Sequence, residues 1–206
     1  MSMDTVVNVA LVLAVIVPSI ILHEVAHGVA ALRFGDDTAK RAGRLTLNPI
    51  PHIDPFGTVL LPALLAFTTG SAFGYAKPVP VVPARMRRPR DHGLLVSLAG
   101  PATNIVLAVL AALVLRRFTP ATSQWAVDIV VRFGIINAIL AAFNLLPIPP
   151  LDGSALVERL LPRRMLPRWR QIRQYSMAIL LVLVLLLPQV LRTVFDWAIS
   201  LWSLLL

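Results

Sequence analysis

Cysteine is absent from the 206 residues, which excludes a disulfide framework and any thiolate metal site. Charge is scarce. Only 14% of residues are charged, against about 25% in an ordinary soluble domain. Acidic and imidazole side chains are scarcer still: the only glutamates are Glu24 and Glu158, and there are four histidines. No internal repeat or low-complexity linker divides the chain. No basic segment precedes the first apolar run, and Asp4 stands at its start, so that run does not read as a secretory signal.

What is present is apolar length. Hydrophobic residues make up 57% of the chain, and the mean hydropathy is +0.79. Apolar runs at 5–34, 94–115 and 125–146 each exceed the roughly 20 residues that a helix needs to span a bilayer. A further span is expected at 174–191. Residues 192–206 are short for a span and either lie in the interface or continue the preceding helix. The run 56–73 holds Gly57, Pro62 and Gly70, so it either spans or forms a re-entrant or interfacial segment. Asp4 is a plausible N-cap for the first helix, and Gly35-Asp36-Asp37 is expected to end it. The net charge of +9 invites a nucleic-acid reading. The arginines, however, cluster between apolar runs, at 85–90 and 159–173, as cytoplasmic loops require. The partner they imply is the lipid bilayer, not nucleic acid.

The second half of the first span carries His23-Glu24-Val25-Ala26-His27. On a helix, residues four apart share a face, so both imidazoles can ligate one divalent metal. Zinc suits neutral imidazole and, in catalytic sites, keeps a position open for water. Glu24 lies beside the pair, placed to take a proton from that water, whose pKa a metal lowers to roughly 7. Ionisable residues within a span are costly and point to function.

Catalytic zinc usually takes three protein ligands. The candidates for the third are Asp36, Asp37, Asp54, Asp91, Asp128, Asp152, Asp196, Glu158, His52 and His92. Asp152 is preferred, because Pro147, Pro149 and Pro150 leave it on irregular backbone just after an apolar span. The alternative for Asp152 is an Asp-Gly turn with Gly153. His52-Ile53-Asp54 either approaches the metal or caps the following helix. For His27 and Asp152 to meet, 56–73 must not cross the bilayer fully. The face they share then also carries the arginine clusters.

These pieces resemble the site-2 proteases, intramembrane zinc metalloproteases of peptidase class M50. The resemblance rests on the H-E-x-x-H at 23–27, Gly100-x-x-x-Asn104, and Asn144 through Asp152-Gly153, and it covers about residues 5–155. It implies one zinc per chain held by His23, His27 and Asp152, with Glu24 as general base. It further implies that Asn144 lies near the metal, where its amide could stabilise an oxyanion. Asn104 is carried over only as a motif position. Gly43-Arg-Leu-Thr-Leu-Asn-Pro49 and Gly74-Tyr-Ala-Lys-Pro-Val-Pro-Val81 resemble the β-rich insertion of bacterial members.

The expected fold is an all-α polytopic membrane protein in a single domain, 1–206. It has about four to six transmembrane or re-entrant helices and a small β-rich insertion between the first two core spans. The catalytic core is expected at about 5–155 and C-terminal helices at 174–206. No PDZ or CBS domain is expected. The implied activity is hydrolysis of membrane-anchored proteins within or near the bilayer, in a bacterial cytoplasmic membrane with the active site towards the cytoplasm. A membrane metal transporter and a catalytically silent adaptor are the alternatives.

Overall fold

The computed structural model describes residues 3–61, 74–118 and 123–206. Every regular element among them is helical. Helix α1, Met3–Arg33, follows the first apolar run. It stops where expected: Gly35 adopts φ +107°, and Asp36 N and Gly35 N donate back to Ala31 O and Leu32 O at 2.9 and 3.1 Å. A side chain at Gly35 would be strained in this left-handed turn, which is the usual reason for glycine there.

A short helix α2, Thr38–Arg41, and an irregular stretch follow. Asp54 caps the π-helical turn Pro55–Leu60 by accepting from Gly57 N at 2.7 Å. Residues 62–73, the bulk of the run 56–73 expected to span or to be re-entrant or interfacial, lie outside the described residues. The two sides of that stretch meet: Tyr75 N donates to Gly57 O at 3.0 Å, and Thr58 Oγ1 to Tyr75 O at 2.9 Å.

Residues 74–82 run extended but form no strand, nor does any other described stretch. Pro78, Pro80 and Pro83 remove backbone donors that a ladder would need. The remaining polar groups pair instead with side chains and loop carbonyls. Lys77 N donates to His52 O at 2.9 Å, and Arg44 Nη2 donates to Lys77 O at 2.5 Å.

Helix α3, Pro89–Phe118, begins five residues before its apolar run, because Pro89 opens a helix as readily as it breaks one. Helix α4, Gln124–Asn144, is capped by Ser123 and runs into the proline-rich break. Helices α5, Ser154–Leu160, and α6, Leu166–Arg173, are short, and α6 is basic. The span expected at 174–191 is instead two helices, α7 Ser176–Leu186 and α8 Pro188–Ser203, bent by 83°. Pro188 supplies no N–H and pushes Leu187 out of the helical region, to φ −123°, ψ 43°. Residues 192–206 therefore continue a new helix rather than the expected span.

Helices α1, α3 and α4 are each long and apolar enough to cross a membrane, and the bent pair makes a fourth if taken as one span. Arg87 N donates to Phe34 O at 3.2 Å, so α3 starts where α1 ends and runs antiparallel to it. Arg132 Nη2 on α4 reaches Asn8 near the start of α1, so these two run parallel. The C-terminal ends of α1 and α4 and the N-terminal end of α3 thus share one face. Buried Ala108, Ala111, Ala112 and Leu115 on α3 pack with Trp202 of α8 near the opposite end. Val6, Val9, Leu13, Val106, Leu110 and Leu113 point outward, as suits a lipid surround.

Candidate metal centre

One helical turn separates His23 from His27, and both rings are buried between α1 and α3. Their Nε2 atoms are 3.0 Å apart. Asp152 Oδ2 lies 3.1 Å from His23 Nε2 and 3.3 Å from His27 Nε2. The backbone after α4 makes this possible. Residues 145–152 fold into successive turns, closed by Ile148 N to Leu146 O, Leu151 N to Ile148 O and Gly153 N to Asn144 O at 2.8, 2.9 and 2.7 Å. The turn is so close that a Cβ on Gly153 would collide with the carbonyl of Leu145 and come within 2.5 Å of Leu146 O.

The other ring nitrogens fix the chemistry. His27 Nδ1 is 2.7 Å from Val96 O, a carbonyl that can only accept, so Nδ1 carries the proton. His23 Nδ1 is 2.6 Å from Asn104 Oδ1. With both protons directed outward, each Nε2 presents a lone pair to the other and to Asp152. Asp152 Oδ2 is buried without a hydrogen-bond partner. A cation between the three is what such a convergence requires. The space is provided by Gly100: a Cβ there would stand 2.5 Å from both Nε2 atoms. Two neutral imidazoles and a carboxylate are a zinc donor set. Their mutual distances match the edge of about 3.3 Å of a tetrahedron with bonds of about 2.0–2.1 Å. The residues fit the metal that the sequence implies.

Glu24 is half-buried beside this set, and its Oε2 accepts from Val79 N of the extended stretch at 2.7 Å. Asn144 lies half-buried at the end of α4, its Nδ2 donating to Leu140 O at 3.0 Å and its backbone carbonyl accepting from Gly153 N. His52 is buried apart from the cluster, with Nε2 3.0 Å from Thr46 O. Other candidate ligands are engaged elsewhere: Asp37 with Arg41, Asp91 with Arg159, Asp128 with Arg132 and Glu158 with Arg173. His92 stacks on Phe34 at 4.2 Å. Among the described residues, His23, His27 and Asp152 are the one group able to hold a metal.

Sequence reasoning missed the layer behind His23. Asn104, Asn137 and Ser19 are all fully buried and joined in one network. Asn104 Nδ2 donates to Asn137 Oδ1 at 2.8 Å, and Asn137 Nδ2 donates to Ser19 Oγ and Phe133 O, both at 2.9 Å. The available signal was two asparagines in apolar helices, each needing partners.

Comparison with known proteins agrees with this geometry. The model of peptidase family M50 matches residues 118–187, which include Asp152. A Bacillus subtilis protein named "Putative zinc metalloprotease YwhC" is 40% identical over 184 residues, covering 84% of this chain and 78% of that protein. The Mycobacterium tuberculosis (strain H37Rv) protein named "Putative zinc metalloprotease Rip2" is 36% identical over 169 residues, covering 81% of this chain and 63% of its own length. MJ0611 of Methanocaldococcus jannaschii, named in the same words, is 30% identical over 139 residues, covering 67% of this chain and 64% of its own. No solved structure matches the chain.

Proposed function

The chain belongs to the site-2 protease family of intramembrane zinc metalloproteases, peptidase family M50, and we propose that its zinc is held by His23, His27 and Asp152 and its chemistry run by Glu24. The observation that carries this is the convergence of three unprotonated donor atoms beside a carboxylate on the same helix. When bound, zinc supplies a Lewis acid that polarises the scissile carbonyl and makes water a nucleophile near neutral pH. Glu24 takes the proton of the attacking water and returns it to the leaving amine nitrogen. The Val79 amide holds one Glu24 oxygen and so orients the carboxylate. Asn144 supplies an amide N–H to the developing oxyanion.

The substrates proposed are membrane-anchored proteins, cut within or near the bilayer as a step in regulated proteolysis. A helical substrate hides its peptide bonds and must unwind locally. The extended edge 74–82, beside Glu24, is suited to hold the unwound segment by strand addition. Val81→Pro, which removes one backbone donor from that edge, then lowers cleavage while zinc stays bound. Unchanged cleavage rejects the clamp.

The site opens towards the cytoplasm of a bacterial inner membrane. All but four of the 19 Lys and Arg residues (Arg116, Arg117, Arg132 and Arg192) lie in the segments at the face where α1 ends and α3 begins, and positive charge marks the cytoplasmic side. The N-terminus then lies outside.

The test is zinc content and cleavage of a panel of single-pass membrane proteins by wild type and Glu24→Gln in detergent. The expected result is about one zinc in each and a loss of cleavage of about 10²–10⁴-fold in the variant. Folded wild type without zinc sinks the metal assignment. Equal cleavage by both proteins removes Glu24 from the chemistry, and zinc in both without any cleavage turns the reading towards a silent adaptor.

A further inference from the structure

We infer that Asn137 and Ser19 are positioning residues that, through Asn104, hold His23 in the tautomer able to bind metal. This rests on the zinc reading above. The two metal-site imidazoles are anchored differently. His27 Nδ1 meets the backbone carbonyl of Val96, which accepts and never donates, so its proton position is settled in one step. His23 Nδ1 meets a side-chain amide, which can present either an acceptor or a donor after a half-turn of its χ2 angle. If Asn104 turned its Nδ2 towards His23, the imidazole proton would move to Nε2 and cancel one metal ligand.

The network removes that freedom. Asn137 Nδ2 faces Phe133 O, an acceptor only, so its amide orientation is fixed by the backbone of α4. Its second N–H meets Ser19 Oγ, whose own proton goes to Val15 O at 2.8 Å, leaving the oxygen to accept. Two backbone carbonyls on different helices therefore demand the same orientation of Asn137. Its Oδ1 must then accept from Asn104 Nδ2 at 2.8 Å, and the backbone carbonyl of Ser19, at 3.5 Å from the same nitrogen, is a longer second hold on that orientation. Asn104 Oδ1 is left facing His23, and His23 must donate from Nδ1. Each link is determined by the one before it, and Asn104, Asn137 and Ser19 are fully buried, so water cannot substitute for a lost partner.

The chain of reasoning also predicts where the effect disappears. An aspartate at 104 has no donor to offer in its ionised form and accepts from His23 Nδ1 whatever Asn137 does. In Asn104→Asp, removing Asn137 should no longer matter to the metal.

The experiment titrates full-length protein in detergent with Co²⁺, following the ligand-field absorption, against a competing chelator. Wild type should bind one equivalent with a four-coordinate spectrum. Asn137→Ala should weaken binding by about 10- to 100-fold, the range for losing an outer partner of a ligating histidine. Ser19→Ala, a smaller change that serves if Asn137→Ala fails to fold, should weaken it less, by about 2- to 10-fold. In the Asn104→Asp background, Ser19→Ala and Asn137→Ala should shift the dissociation constant by less than about twofold. ¹⁵N shifts of the metal-free protein should show the His23 proton on Nδ1 in wild type and on both nitrogens in Asn137→Ala. Variants that unfold more easily yet bind Co²⁺ as wild type, or equal losses in both backgrounds, overturn the relay and leave the zinc reading standing. Failure of wild type to bind Co²⁺ overturns both.

Discussion

At one end of the helical bundle Gly134 faces Trp202; at the other Gly100 faces His23 and His27. In each place a Cβ on the glycine would collide with a ring: with the six-membered ring of Trp202 in the first case, with both Nε2 atoms in the second. The two gaps are made in the same way, by omitting a side chain so that an aromatic ring can approach a helix backbone. They differ in how their polar atoms are left. Trp202 is buried, and its one donor is satisfied by Ala108 O at 2.8 Å, among alanines and Leu115. Among the described residues, no buried side-chain atom around Trp202 is left without a hydrogen-bond partner. At the Gly100 end three acceptors point at one another, and Asp152 Oδ2 is buried without a hydrogen bond. Close packing is common to both gaps; what sets the Gly100 gap apart is a buried carboxylate oxygen without a hydrogen bond facing two imidazole nitrogens.

The comparison breaks most sharply at Gly100. Gly100→Ala should reduce metal affinity by more than about 100-fold, beyond what loss of an outer partner usually causes, because the methyl group occupies the space between the ligands. Chelator competition in detergent measures it, and near-normal affinity would show that the donors close on metal from another side. Gly134→Ala should instead destabilise the fold by about 1–3 kcal/mol through overpacking, with metal affinity unchanged. Thermal unfolding with and without metal distinguishes the two. A Gly134→Ala protein that is stable but binds metal poorly would mean that the two ends are coupled. Smaller again, Trp202→Phe should cost about 1 kcal/mol, for one lost hydrogen bond in a filled site.

The parts of this structure legible in the sequence are those that a single chemical feature determines. Gly35 after an apolar run ends α1, and H-E-x-x-H on a helix puts two imidazoles one turn apart. Asp152 stood out in the sequence because prolines follow a span there, with an Asp-Gly turn as the alternative, and the structure brings it to the two imidazoles. Asp54 was legible as either a cap or a ligand, and the structure makes it the cap. Features that depend on distant backbone were not legible. Nothing near Glu24 in sequence announces the amide of Val79, 55 residues away. Nothing near His27 announces the carbonyl of Val96. Hydropathy also hid the break at Leu187, since the run from 176 to 191 is apolar on both sides of Pro188. Apolar length reports where lipid lies, and proline reports where the hydrogen-bond ladder stops. At 188 the second signal outweighs the first.

A third contact sharpens the comparison with a smaller effect, at the edge of the Gly100 end. The extended stretch 77–82 reaches α1 and the turn that follows it through two carboxylates: Glu24 on the helix takes Val79 N, and Asp36 in the turn takes Val82 N at 2.5 Å. Burial alone would push the Asp36 carboxyl up. Hydrogen bonds from Thr38 and from the Val82 amide outweigh it and hold the group below its ordinary value. A carboxyl whose pKa is lowered by folding contributes stability that is present above its unfolded value, near pH 3.9, and lost as pH falls through the lower folded value. The anchor of Val82 should therefore be intact at pH 6 and loosen below about pH 3.9. Hydrogen exchange at Val82, corrected for the intrinsic rate, should lose protection over that window. In Asp36→Ala the protection should already be low at pH 6, with metal affinity within about twofold of wild type. Since Asp36 touches no ligand, a large loss of metal in that variant would show that the edge and the donor set form one rigid unit rather than two.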